Sequence, residues 1–141
     1  MNSEAGTNRW ILFVGAIAGL LSCSIFLVPA KSQQKPRPKV VELDSRGKDY
    51  LQVLAGPPES VTMKSGLEVL APNQSVGKHS TGQHEELLVV LEGQGEMSFK
   101  DGSKLAVKAN HAIYCPPGTE HNVTNTGGSV LRYVYVVASI K

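Results

Sequence analysis

The sequence predicts an all-β domain, a barrel or double-sheet sandwich, and three observations carry that prediction. Short runs of strand formers recur throughout the chain beyond residue 40. Gly, Pro, Asn and Asp interrupt them at close intervals, as turns between strands require. No stretch after residue 40 shows the apolar repeat of an amphipathic helix.

Taken in order, Val40–Leu43 alternates weakly and Tyr50–Ala55 is a second candidate strand, closed by Gly56-Pro57-Pro58 because proline cannot continue a ladder. Val61–Ala71 places Leu67, Val69 and Ala71 on one face and Glu68 and Leu70 on the other, before a Pro72-Asn73 turn. Glu85–Leu91 is the strongest strand of the chain. Gln94-Gly95 turns it into Glu96–Lys100, and Asp101-Gly102 is a strong hairpin signal that leads to Lys104–Lys108. His111–Cys115 is cut by Pro116-Pro117-Gly118, His121–Thr124 follows, and Val130–Ile140 is a long last strand with Tyr133, Tyr135 and Val137 on one face. Met97 and Phe99 share a face and read as core, and Tyr133 and Tyr135 as core or pocket wall, with Tyr114 beside them. A closed barrel of this kind has an interior wide enough for a small ligand.

The first 39 residues have a different character. Trp10–Ala30 carries no charged side chain, so it has no polar face for water and is long enough to span a bilayer. Residues 1–30 therefore read as a signal peptide or transmembrane anchor. Arg9 and the small residues before Lys31 suit a cleaved export signal. The length suits an uncleaved anchor, and Leu20-Leu21-Ser22-Cys23 resembles a lipobox. Export to the periplasm or the outside, cleaved or membrane-anchored, is the expectation. The excess of Lys and Arg after the segment supports the alternative, an inner-membrane protein with its domain facing the cytoplasm. Residues 31–39 form a basic linker in which Pro36 and Pro38 enforce an extended spacer. Residues 40–141 are the barrel.

Of 141 residues, 41% are hydrophobic, enough for one core. The net charge of +2 gives no reason to expect a nucleic-acid partner. Cys23 lies in the apolar run and Cys115 in a strand, so no disulfide and no paired-cysteine metal site is expected.

The chemistry concentrates in two stretches. All four histidines, His79, His84, His111 and His121, lie between residues 79 and 121. His84 and Glu86 are two apart on a strand and share a face. Gly82 permits a bend that returns His79 to them, and His121 arrives from a distant strand. Three imidazoles and a carboxylate suit one divalent transition metal, Fe, Mn, Ni, Cu or Zn. His111, at the start of its strand, reads as a rim residue, and Glu85 points away by parity.

These residues resemble the cupin superfamily. Its first motif is Gly, five residues, His-x-His, three or four residues, Glu, six residues, Gly; Asn73, His79, Thr81, Glu86 and Gly93 occupy those places. Its second is Gly, five residues, Pro-x-Gly, two residues, His, three residues, Asn; Asn110, Pro116, Gly118, His121 and Asn125 occupy them. The resemblance covers about residues 61–138 and implies a double-stranded β-helix, or jelly-roll, barrel. Asn73 and Asn110 replace glycines, but asparagine tolerates the left-handed conformation. Thr81 stands where a second histidine ligand belongs. Either the site is a degraded three-ligand site or His84 replaces the missing imidazole; the expected ligands are His79, His84, Glu86 and His121, with Thr81 as the alternative or an outer neighbour of the site.

The resemblance implies a small-molecule partner, a homodimer, and a reaction range that includes dioxygenases and isomerases, with catalytic and substrate-binding residues unassigned. Strand parity places no further Asp, Lys or His inside the barrel. A non-catalytic metal or small-ligand binding protein or sensor is the alternative, and a barrel that has lost its metal is a third reading.

Overall fold

Exposure alternates along His84–Glu92 as the apolar pattern requires: Glu86, Leu88 and Val90 are buried between the exposed Glu85, Leu87 and Val89. This strand is central to a computed structural model that describes residues 35–140. The apolar run Trp10–Ala30 and the first part of the basic linker lie outside the described residues.

The described residues form nine strands and no helix. One sheet holds β1 (Tyr50–Leu54), β2 (Lys64–Leu70), β9 (Leu131–Ser139), β4 (His84–Glu92) and β7 (Ala112–Cys115), in that spatial order. The other holds β3 (His79–Ser80), β8 (Glu120–Thr124), β5 (Gln94–Phe99) and β6 (Lys104–Lys108). All pairings between these strands are antiparallel. Leu70, Leu88, Val90, Ile113, Cys115, Leu131 and Tyr133 from the first sheet meet Met97, Val107 and Val123 from the second. Cys115 Sγ approaches Met97 Sδ to 3.6 Å across that core. Packing between facing sheets is the main source of stability in such a fold.

The turns fit the residue types. Asn73 and Asn110, the two asparagines at glycine places, have φ of 67° and 66°. Gly93 has φ of 79°, and a side chain there would run into the carbonyl of Val130 and stand 2.9 Å from Leu131 Cα. Asn125 is fully buried and holds a loop together: its amide donates to the carbonyls of Leu70 and Ser129, each at 2.8 Å, and its Oδ1 accepts the Gly127 N–H at 2.9 Å.

Three expectations are corrected. Val40–Leu43 forms no strand; Val40 is solvent-exposed, and the segment is tied down by the Arg132 guanidinium, which donates to the Leu43 carbonyl at 2.8 Å. His79–Ser80, assigned to none of the expected strands, is a short strand because it pairs with β8. Tyr114 is 57% exposed and reaches Glu85 on the outer face, not the interior, since its place on β7 alternates with the buried Ile113 and Cys115.

Candidate metal centre

His79 of β3 lies directly opposite His121 of β8, and the two rings meet edge to face with centroids 4.4 Å apart. Glu86 reaches them from β4 in the facing sheet, so both sheets contribute to the cluster. One side-chain ligand atom from each of His79, Glu86 and His121 lies within 4.8 Å of the other two.

Backbone carbonyls orient the imidazoles. Nδ1 of His121 lies 3.2 Å from the Thr119 carbonyl, and Nδ1 of His79 lies 2.9 Å from that of Gly77. A carbonyl only accepts, so Nδ1 carries the proton and Nε2 presents its lone pair in each neutral ring. Nε2 of His121 stands 3.2 Å from Oε2 of Glu86, and both side chains are buried. The approach has the distance of an ion pair, and among the described residues Nε2 has no hydrogen-bond partner. Two buried electron-rich atoms held this way call for a cation or a proton between them. The Glu86 contact holds the His121 pKa above its ordinary value, against the opposing effect of burial. Ligands about 2.1 Å from a common ion and set at about right angles stand roughly 3 Å apart, so the pair fits a metal.

His84 is not one of the three. It lines the same cavity, on the face of β4 shared with Glu86, but its Nδ1 is held at the strand's entrance by the Thr81 carbonyl at 3.2 Å. Thr81 is buried, and its hydroxyl is committed elsewhere: it donates to the Pro116 carbonyl at 2.8 Å and accepts the Thr119 N–H at 2.9 Å. The residue at the missing histidine's place is thus a tie between two loops. His111 lies outside the cluster.

The cluster opens into a cavity of about 390 Å³. Val76, Leu88, Val123 and Val137 supply apolar wall, and Tyr133, Tyr135 and Glu68 supply polar edges. Glu68 had no expected role. Its alternation with Leu67 was visible, but not which of the two faces turns inward. Cys115 is buried behind the site, and burial first, then the Glu86 charge, pushes its thiol up to about 11, which leaves it a packing residue.

The comparisons agree with this architecture. The Cupin domain family matches residues 66–137, slightly more than half of the chain. An oxalate-binding protein of Thermotoga maritima is 29% identical over 68 residues, which are 48% of this chain and 55% of that protein; the match thus spans about half the length of the relative. Among solved structures, a Bacillus halodurans protein superposes with a TM-score of 0.63 at 24% identity, covering 75% of this chain and 84% of the other. A cupin 2 conserved barrel domain protein from Salinispora arenicola gives 0.57 at 23% identity, covering 75% and 89%. Motif spacing, sheet topology and family match converge: the chain belongs to the cupin family.

Proposed function

We propose that this cupin holds one divalent transition metal through His79, Glu86 and His121 and presents it to a small organic molecule in the adjoining cavity. The observation that carries the reading is the buried Nε2 of His121, 3.2 Å from the Glu86 carboxylate and without a hydrogen-bond partner among the described residues. His79 and His121 are oriented by Gly77 and Thr119, and Glu86 supplies the anionic ligand. His84, two residues from Glu86 and on the cavity wall, is a neighbour able to contact what binds there. A bound metal of this class supplies Lewis-acid or redox chemistry, and Fe, Mn, Ni, Cu and Zn all accept this ligand set. The cavity beside the cluster favours a ligand-binding reading, with dioxygenase- or isomerase-like chemistry as the finer proposal. The name of the Thermotoga relative, an oxalate-binding protein, supports a small ligand by its size and not by its charge.

Two further elements of the reading rest on separate grounds. The uncharged run Trp10–Ala30 supports export or membrane anchoring. The exposed Leu87, Val89 and Leu91 on the outer face of β4 support pairing of two copies.

Elemental analysis of the purified chain tests the central claim. Close to one equivalent of a single transition metal is expected, with loss of that metal in His121→Ala. A chain that stays empty after incubation with Fe(II), Mn(II), Ni(II), Cu(II) and Zn(II) would exclude it.

A further inference from the structure

Glu68 sits within β2, opposite Tyr50 of β1 and Tyr133 of β9. It lines the same cavity as the three metal-site residues. A carboxylate taken out of water ordinarily gains a cation or several donors. None of the ion pairs among the described residues engages Glu68. The Tyr135 hydroxyl pairs with that of Tyr50 at 3.0 Å, one of the two donating. Burial first, then the charge of Asp49, raises the Glu68 pKa, and no cation acts in the other direction.

Among the described residues, the wall of the cavity contains no Lys and no Arg. Positive charge there would come chiefly from the metal, with His84 the wall imidazole outside the proposed ligand set, and the carboxylates of Glu68 and Glu86 together balance a divalent ion. A dicarboxylate would bring further negative charge into a partly desolvated space with no Lys or Arg to meet it. A neutral or cationic molecule with an N–H or O–H turned to Glu68 would instead satisfy that carboxylate. Its hydrocarbon part would lie on Val76, Leu88, Val123 and Val137.

We propose that Glu68 sets the ligand class of the cavity, admitting small neutral or cationic hydrogen-bond donors and disfavouring dicarboxylates. The proposal rests on the metal site described above, and its test separates the two. The purified full chain is loaded with Co(II), its cobalt content is measured, and imidazole (neutral, with one N–H to spare) and malonate are titrated against the visible absorption of the cobalt. The same is done for Glu68→Gln and Glu68→Asp, with thermal unfolding confirming that each is folded. Cobalt content should be equal in all three. Wild type should bind imidazole more tightly than malonate. Glu68→Gln should bind malonate about tenfold more tightly than wild type, the scale of removing one like charge from a partly screened site. Glu68→Asp, which keeps the charge, should restore the rejection. Equal malonate affinity in wild type and Glu68→Gln, with cobalt bound in both, overturns the assignment of Glu68 and leaves the metal site standing. A chain that takes up no cobalt overturns both.

Discussion

The hydroxyl of Thr81 donates to the carbonyl of Pro116 and accepts the N–H of Thr119, bonding the turn before β4 to the turn before β8. Backbone bonds reinforce the tie: Thr81 N–H to Thr119 carbonyl at 3.1 Å, and Gly118 N–H to Gly82 carbonyl at 2.8 Å. His79 precedes one turn and His121 follows the other. The residue that departs from the family pattern at a ligand place therefore holds together the two loops beside two members of the cluster.

Thr81→Val keeps the shape of the side chain and removes both hydroxyl bonds. The Thr119 N–H loses its acceptor and the Pro116 carbonyl loses one donor, a cost of about 0.5–1.5 kcal/mol for part-buried hydrogen bonds. Chemical denaturation should show that loss. Metal content at saturating metal should stay close to wild type, because the hydroxyl is not one of the proposed ligands; a complete loss of metal would return Thr81 to the ligand set.

Ligand assignment is tested by comparing His79→Ala with His84→Ala. His79 belongs to the cluster and His84 does not. His79→Ala should lower metal affinity at least about tenfold, whereas His84→Ala should change it less. Both residues lie near the mouth of the cavity, outside the central core, so neither variant should lose much stability. Equal loss of metal in the two variants would restore the four-ligand set that the sequence predicts.

Much of the fold was legible because local signals agreed with it. The alternation of β4, the Asp101-Gly102 hairpin and the left-handed asparagines at 73 and 110 all depend on residues close in sequence. What was hidden depends on partners far away. β3 exists because His79 pairs with His121. The role of Thr81 depends on residues 35 and 38 positions further along. Parity placed His84 and Glu86 on one face correctly, but a shared face does not specify depth, and two residues along a strand separate the entrance from the cluster. Glu68 was hidden for a related reason: alternation divides β2 into two faces without naming the inner one.

Glu68 also carries a stability prediction. Burial and Asp49 raise its pKa above the reference of 4.5, so the folded state holds the proton more tightly than the unfolded state. The carboxylate is penalised once ionised. Folding stability attributable to it is greatest below its unfolded pKa and falls as pH rises through the raised folded value. Glu68→Gln lacks that ionisation. Thermal unfolding of the metal-free chain followed across pH should show the variant gaining on wild type from mildly acidic to neutral pH, with no such gain at lower pH. A difference independent of pH would mean that the carboxylate is not strained in the fold.

Gly93 and Asn110 separate conformational cost from lack of room. Both adopt left-handed backbone, with φ of 79° and 66°. At Asn110 a side chain is already accommodated, so Asn110→Ala should cost only the conformational preference of alanine, about 1–2 kcal/mol, and Asn110→Gly should cost little or nothing. At Gly93 the same preference applies, but the added methyl also runs into the Val130 carbonyl and stands 2.9 Å from Leu131 Cα, and these are backbone atoms of β9 and its approach. Backbone paired in a sheet gives way less readily than the end of a side chain. Gly93→Ala should therefore be clearly more destabilised than Asn110→Ala, by at least about 1 kcal/mol beyond the shared conformational term. Denaturation midpoints of the two variants provide the comparison. Equal losses would mean that the β4–β5 turn can shift away from β9, and that φ alone explains the glycine.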